Sequence, residues 1–168
     1  NSGEKLSVNK KINLNSKMNN GIKKLFLTFK NVNEIRVLPG KQLNYFSDKS
    51  LKDFYLKKYK ISNNTDRMGA RLGGSKLEHV DSFNIPSEGI VKGSIQVPGD
   101  GQPIVLLNDH PTIGGYPKIA HIITADYDNF VQKQPGSEIT FKAVNFVEAE
   151  QLFNEYLLYK KQQQDLIR

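Results

Sequence analysis

The second half of the chain consists of short β-prone runs that Gly and Pro interrupt at close intervals. The runs are Ile90–Val97, Pro103–Leu107, Lys118–Thr124 and Glu138–Val144. Turn-forming sequences separate them, namely Pro98-Gly-Asp-Gly101, Gly114-Gly-Tyr-Pro117 and Gln134-Pro-Gly136. Such short, closely spaced strands favour a barrel or a sandwich over an alternating βαβ fold. Two earlier runs, Lys24–Phe29 and Glu34–Leu38, are predicted to be strands as well.

Two segments carry apolar residues at helical spacing instead. Between Asp48 and Lys60 the repeating residues are Leu51, Phe54, Tyr55 and Tyr59, with Asp48 or Ser50 as the expected N-cap. In the second, Asn145 is the expected cap and Glu148 completes a capping box. Its apolar stripe comprises Ala149, Leu152, Phe153, Tyr156 and Leu157, and its end is expected near Tyr159. The sequence therefore predicts a mainly β protein with one or two peripheral helices.

The charge distribution argues against a nucleic-acid role. The net charge is +7, but residues 1–60 carry 14 basic and 4 acidic side chains, whereas residues 61–168 carry 10 and 13. Twenty of the 24 basic residues are Lys, while specific recognition of phosphates and bases favours Arg. Non-specific RNA binding through residues 1–60 is an alternative that predicts a steep salt dependence.

Composition excludes several further classes. There is no Cys, which removes disulfides and thiol chemistry and fits a reducing, cytoplasmic location. No run approaches 18 apolar residues, and Asn1–Lys17 has no apolar signal region, so we expect neither a membrane span nor a signal peptide. His79, His110 and His121 lack the spacing of metal ligands, and we expect no metal site.

Two segments carry candidate chemistry. Ser87–Asp126 is rich in Gly and polar residues, which either bind a ligand or only build tight hairpins. Arg67 and Arg71, four residues apart beside several Gly, either clamp an anion or form ion pairs with Asp66 or Glu88. Candidate acid or base carboxylates are Asp66, Asp100 and Asp109.

These two segments resemble a known family. RMGARLGG (Arg67–Gly74) and SEGIVKGSIQVPGDGQPIVLLNDHPTIGGYPKIAHIITAD (Ser87–Asp126) are similar to the biotin-dependent carboxyltransferase family. This family includes the C subunit of 5-oxoprolinase, KipA and part of urea carboxylase, and some members have been labelled as the second subunit of allophanate hydrolase. The segments IRVLPGKQLNYFS and PGSEITFKAVNFVEAEQL extend the resemblance from Ile35 to about Leu152.

The resemblance implies a cyclophilin-like β-barrel and a division of the chain into three parts. Residues 1–34 would be a join segment with a Lys/Asn-rich linker and the first strand, residues 35–160 the C-terminal half of the family's subunit, and residues 161–168 a polar tail. It also implies a cleft lined by the residues that fall on the family's motif, in which we assign catalytic roles to Asp109 and Arg71. The substrate-binding residues would be Arg67, Gln96, Thr112, Gly114, Gly115 and Tyr116. Arg67 and Arg71 would hold an anionic group, Asp109 would orient or deprotonate, and Gly114 and Gly115 would donate backbone hydrogen bonds.

The activity that the resemblance implies is that of one component in an ATP-dependent 5-oxoprolinase or a related carboxyltransferase or urea amidolyase assembly. The partners would be a KipI-like subunit and a LamB/YcsF-type subunit, and the substrate a small anion. ATP would belong to the complex and not necessarily to this chain, and participation of biotin is left open. Pro111 and Ile113 replace the Gln and Thr that are usual in the family, and the N-terminal QDxGR-type motif is missing. We therefore expect the chain to be inactive alone, with a non-catalytic KipA-like module that binds a KipI-type partner as the alternative.

Overall fold

A closed seven-stranded β-barrel forms the body of the protein. The computed structural model describes residues 32–165, so the predicted strand Lys24–Phe29 and residues 166–168 lie outside it. The strands are β1 Glu34–Pro39, β2 Tyr59–Ile61, β3 Gly69–Gly73, β4 Glu88–Gly89, β5 Ser94–Gln96, β6 Ile104–Leu106, β7 Ile113–Gly114, β8 Lys118–Ile122 and β9 Glu138–Ala143. The barrel order is β1-β8-β5-β6-β3-β2-β9, while β4 and β7 pair separately as a two-stranded ribbon. The predicted mainly β barrel is confirmed.

One parallel pairing closes the barrel. β1 and β9 run parallel, from Glu34 opposite Thr140 to Val37 opposite Ala143, and the other barrel pairs are antiparallel. Side chains alternate along each strand, so Ile35 and Val37 of β1 are fully buried while their neighbours are not. Apolar side chains fill the interior, as the small diameter of such a barrel requires.

Aromatic rings seal one side of the barrel against the first helix, α1 (Asp48–Leu56). The ring of Phe54 stacks on that of Phe141 in β9 at a centroid distance of 4.6 Å, and Tyr59 lies 5.8 Å from Phe141. The helix is capped by Ser47, whose hydroxyl accepts a hydrogen bond from the Ser50 amide at 3.2 Å, and not by Asp48 or Ser50 as predicted. The N-cap is the residue that precedes the first helical residue, and because the helix begins at Asp48, Ser47 takes that position.

The structure has one helix more than the sequence predicted. Helix α2 (Thr124–Val131) follows β8 directly, and its N-cap, Ile123, makes no side-chain capping bond. A tertiary contact replaces the local signal: the buried Asp126 carboxylate accepts hydrogen bonds from the amide and Nε of Arg36 at 2.8 and 2.9 Å. A sequence search for caps could not find this helix.

The last helix, α3 (Phe146–Asp165), begins as predicted and continues past Tyr159. The Asn145 side chain caps it by accepting from the Glu148 amide at 2.9 Å. It docks on α2 through Asp128, whose carboxylate accepts from the Tyr156 hydroxyl at 2.6 Å and pairs with Lys160 at 3.1 Å. Burial opposes ionisation of Asp128, but these two bonds outweigh it and hold its pKa below its ordinary value. None of the helices within residues 32–165 is long and apolar enough to cross a membrane.

Gly40 packs closely against the backbone of β8, and we predict that Gly40→Ala is strongly destabilising. A Cβ there would lie 2.0 Å from the backbone oxygen of Lys118, which cannot move without distorting β8. We expect a loss of ~2–3 kcal/mol, equivalent to a fall in Tm of roughly 4–12 °C by thermal denaturation. Gly89→Ala is the matched control, because no atom lies within 4 Å of its added Cβ. Equal Tm values for the two variants would contradict the prediction.

Candidate functional site

The β4–β7 ribbon covers a patch of polar side chains on the wall of the barrel. Glu88 lies opposite Gly114 in the ribbon, and Gly89 opposite Ile113. The ends of the ribbon are held by two further backbone bonds, from Ile85 N to Gly115 O at 2.8 Å and from Ile90 N to Thr112 O at 3.1 Å. The ribbon thus shields part of β5 and β8 from solvent.

Gln96 of β5 reaches the underside of the ribbon. It follows the core residue Ile95, so its side chain projects away from the barrel interior. Its Nε2 donates to the Tyr116 carbonyl at 3.3 Å, and Gln96 is only 6% exposed. A Cβ on Gly114 would lie 2.6 Å from this Nε2, so any larger residue there would require the Gln96 carboxamide to move.

Lys118 of β8 is a buried cation in the same patch. Its side chain is 5% exposed, and its ammonium donates to Oε1 of Glu88 in the ribbon. The same oxygen accepts from Nε2 of Gln42 at 2.8 Å, while Oε1 of Gln42 accepts from the Lys118 amide at 3.3 Å. The Lys118 hydrogen bond, supported by the Gln42 bond and by the positive charges of Lys118 and Lys41, outweighs burial and holds the pKa of Glu88 below its ordinary value. We call Gln42, Glu88, Gln96 and Lys118 the ribbon cluster.

His121 borders the ribbon cluster. Its Nδ1 lies 3.1 Å from the hydroxyl of the buried Ser94, its cross-strand neighbour. Burial and, next, the positive charge of Lys118 lower the pKa of His121 below its ordinary value. The imidazole is therefore neutral at neutral pH, which leaves Lys118 and the exposed Lys41 as the cations nearest Glu88.

The structure brings together four of the eight site residues predicted from the sequence. Gln96, Gly114, Gly115 and Tyr116 meet beneath and along the ribbon, although Tyr116 contributes its carbonyl and the residue is 39% exposed. Thr112 lies at the ribbon's end, where its exposed side chain makes no hydrogen bond within residues 32–165 and its carbonyl holds Ile90.

The predicted Arg67 and Asp109 lie elsewhere and bind each other. Arg67 Nε is 2.8 Å from Asp109 Oδ2, and the side chains are 86% and 45% exposed. Neither Asp66 nor Glu88 pairs with Arg67 in the described part of the chain. Asp66 instead accepts from the amides of Gly69 and Met68, which lower its pKa, and Asp100 likewise accepts from the Gln102 amide, so both carboxylates stabilise turns.

Arg71 lies at the exposed end of a cross-strand row that leads to the ribbon cluster. The row runs from Arg71 through Ile104 to Gln96 and Lys118, on β3, β6, β5 and β8. Since neighbouring strands lie about 4.8 Å apart, Arg71 is roughly 10 Å from Gln96 across the sheet. Its guanidinium makes no ion pair within residues 32–165, although its positive charge contributes to lowering the pKa of Asp66.

The sequence analysis missed Gln42, Glu88 and Lys118 as site residues. Each lies in a segment that carries the family resemblance, but nothing local distinguishes a buried Lys from an exposed one. Their convergence depends on β8 pairing with β5 while the ribbon folds back over both. Residues 32–165 contain no group of three or more His, Asp or Glu side chains arranged to hold a metal ion.

The fold and the ribbon cluster together define a small closed β-barrel whose polar site is on its wall. The family model of the carboxyltransferase domain, subdomain A and B, matches residues 1–143, and the chain belongs to this family. It is 41% identical over 128 residues to the C subunit of the 5-oxoprolinase of Haemophilus influenzae, covering 76% of this chain and 41% of the relative.

Two further comparisons agree. The chain is 41% identical over 117 residues to the C subunit of the 5-oxoprolinase of Escherichia coli, covering 70% of this chain and 38% of the relative. The crystal structure of the K. lactis urea amidolyase superimposes with a TM-score of 0.72 at 25% identity, over 79% of this chain and 8% of that one. The chain spans about two fifths of the length of the two 5-oxoprolinase relatives (41% and 38%).

We predict that His121→Gln reduces the loss of stability on acidification. Because the pKa of folded His121 lies below the ordinary 6.5, the unfolded chain binds a proton first as the pH falls. The stability that neutral His121 provides is complete above about pH 6.5 and declines below it, down to the lowered folded pKa. The free energy of unfolding, measured with denaturant between about pH 7 and 5, should fall less steeply with decreasing pH in the variant than in the wild-type chain.

His79→Gln is the comparison for this experiment. Burial also lowers the pKa of His79. Each single variant should therefore reduce the pH dependence of the free energy of unfolding, and the double variant should reduce it further. An unchanged profile in His121→Gln would contradict the assignment.

Proposed function

We propose that this chain is a component of an ATP-dependent 5-oxoprolinase-like assembly and that the ribbon cluster contributes to its substrate site. One observation carries the proposal: a buried Lys, two carboxamides and a Gly-rich ribbon converge within the residues that the carboxyltransferase family model matches. Buried polar groups that converge under a covering segment are typical of ligand sites.

The chemistry of the cluster suits a small carboxylate that also carries an amide. Lys118 supplies a positive charge in a shielded site, where a charge-assisted hydrogen bond is strongest. The carboxamides of Gln42 and Gln96 can each donate to and accept from a lactam or ureido group. Arg71 would attract the anion from solvent, and the exposed Asp109, held by Arg67, would orient or deprotonate the substrate.

We assign ATP to another subunit of the assembly. The cluster offers one buried cation, Lys118, and Arg71 is a single exposed cation, which suits one carboxylate better than a triphosphate. Biotin stays an alternative cofactor of the assembly. The partners in this proposal are a KipI-like subunit and a LamB/YcsF-type subunit, in the cytoplasm.

An exposed apolar surface supports assembly with another polypeptide. Five large apolar side chains of α3 are 38–73% exposed, namely Phe146, Val147, Phe153, Leu157 and Leu158. Large exposed apolar side chains concentrated on one helix are candidate contacts for another polypeptide. The same surface favours the second candidate function, a non-catalytic module that binds a KipI-type partner.

Reconstitution tests the enzymatic proposal. The chain, combined with its candidate partners, should support ATP hydrolysis that depends on 5-oxoproline. Lys118→Met should lower this turnover roughly 10- to 100-fold, since a hydrogen bond to a charged group is worth ~1.5–3 kcal/mol. Asp109→Ala and Arg71→Ala should lower it as well. Lys58→Met is the control, because Lys58 pairs with Glu138 in solvent, with side chains 69% and 58% exposed.

Thermal denaturation separates the two candidate functions. A Tm raised by 5-oxoproline supports a substrate site, because a ligand that binds the folded state stabilises it. A Tm raised by the partner protein and not by 5-oxoproline supports the binding module. Turnover that survives in the Lys118, Asp109 and Arg71 variants would overturn the proposed participation in catalysis.

A further inference from the structure

The Lys118 ammonium requires an anion, and the β4–β7 ribbon supplies one. Lys is rarely buried unless it is paired, and within residues 32–165 the only ion-pair partner of Lys118 is Glu88. Glu88 lies in the ribbon, where β4 and β7 contribute two residues each. The pair is asymmetric, since the Lys118 side chain is 5% exposed and that of Glu88 is 41% exposed.

Gln42 completes a receptor for a carboxylate oxygen. Its Oε1 accepts from the Lys118 amide at 3.3 Å, which directs the Nε2 of the same carboxamide toward Glu88 at 2.8 Å. Two donors from different segments of the barrel region therefore converge on one oxygen. The barrel fixes both donors, whereas the ribbon brings only the acceptor.

We propose that Lys118 and Gln42 form a carboxylate-binding site that Glu88 occupies in this conformation, and that the carboxylate of a small ligand displaces Glu88. Glu88 can leave at modest cost because its side chain is already partly in water, but Lys118 cannot. Displacement would leave Lys118 and the nearby Lys41 without Glu88, so the vacated position favours an anion. The inference rests on the proposed function for its choice of ligand, 5-oxoproline.

This arrangement makes Glu88 an internal competitor of the ligand. The apparent affinity of a site falls by the fraction of molecules in which it is open, and removing the competitor restores the intrinsic affinity. Glu88→Ala should therefore bind 5-oxoproline more tightly than the wild-type chain, by about tenfold if Glu88 fills the site nine times in ten. The opposite expectation, weaker binding, holds if Glu88 itself contacts the ligand.

Isothermal titration of the full chain with 5-oxoproline, at matched ionic strength, is the test. We expect Glu88→Ala to tighten binding about tenfold. Lys118→Met should abolish binding both in the wild-type chain and in Glu88→Ala. Glu138→Ala, which removes an exposed ion pair, should bind with the affinity of the wild-type chain. The neutral lactam 2-pyrrolidinone, which is 5-oxoproline without its carboxylate, should not bind. Unchanged or weaker affinity in Glu88→Ala, or equal binding of the neutral lactam, would overturn the proposal.

A second measurement covers the case in which Glu88→Ala folds poorly. Acetate should raise the Tm of Glu88→Ala saturably, and by more than chloride does. It should not raise the Tm of Glu88→Ala/Lys118→Met, because Met fills the buried position without a charge. Absence of this rescue counts against the site. If the assembly hydrolyses 5-oxoproline while Lys118→Met keeps its affinity, the inference fails and only the assignment to a 5-oxoprolinase-like assembly stands. If the binding results hold without turnover, the site stands and the enzymatic proposal fails.

Discussion

Closure of the barrel by the parallel pairing of β1 with β9 is the constraint on which the rest of the structure depends. It joins Glu34 to Thr140, near opposite ends of the described chain. Parallel strands need a long connection between them, and here the connection is almost the whole barrel. Closure removes the exposed edges that an open sheet would leave. It also fills the interior with apolar side chains such as Ile35, Ile95 and Ile139, so polar chemistry has no place in the lumen.

The candidate site therefore lies on the barrel wall, where a second element must shield it from water. The β4–β7 ribbon does this, and the register of β5 with β8 decides what it covers. A register shift between Ile95 and Gln96 places Gln96 opposite Lys118, so two polar side chains meet under the ribbon. Without that shift, the alternation of side chains along β8 would direct Lys118 toward the core.

Much of the barrel was predictable because its signals are local. Gly and Pro turns separate β5, β6, β8 and β9, and the cap at Asn145 marks the start of α3. The unpredicted elements lack such signals. Strands β2 and β3 are short and include Lys60, Arg71 and three Gly or Ala residues, while α2 depends on the contact between Asp126 and Arg36. A contact between residues 90 positions apart leaves no pattern in either segment.

The sequence by itself determined the β-rich class, the turns, the family resemblance and a polar Gly-rich segment that contains Gln96, Gly114 and Tyr116. Local chemistry suffices for these, because Gly and Pro restrict the backbone wherever they occur. Only the tertiary structure decided that Arg67 pairs with Asp109 in solvent, that Arg71 stands apart, and that Gln42, Glu88 and Lys118 converge. Burial decides the electrostatic role of a charged residue, and burial is a property of the assembled barrel and its ribbon rather than of any one segment.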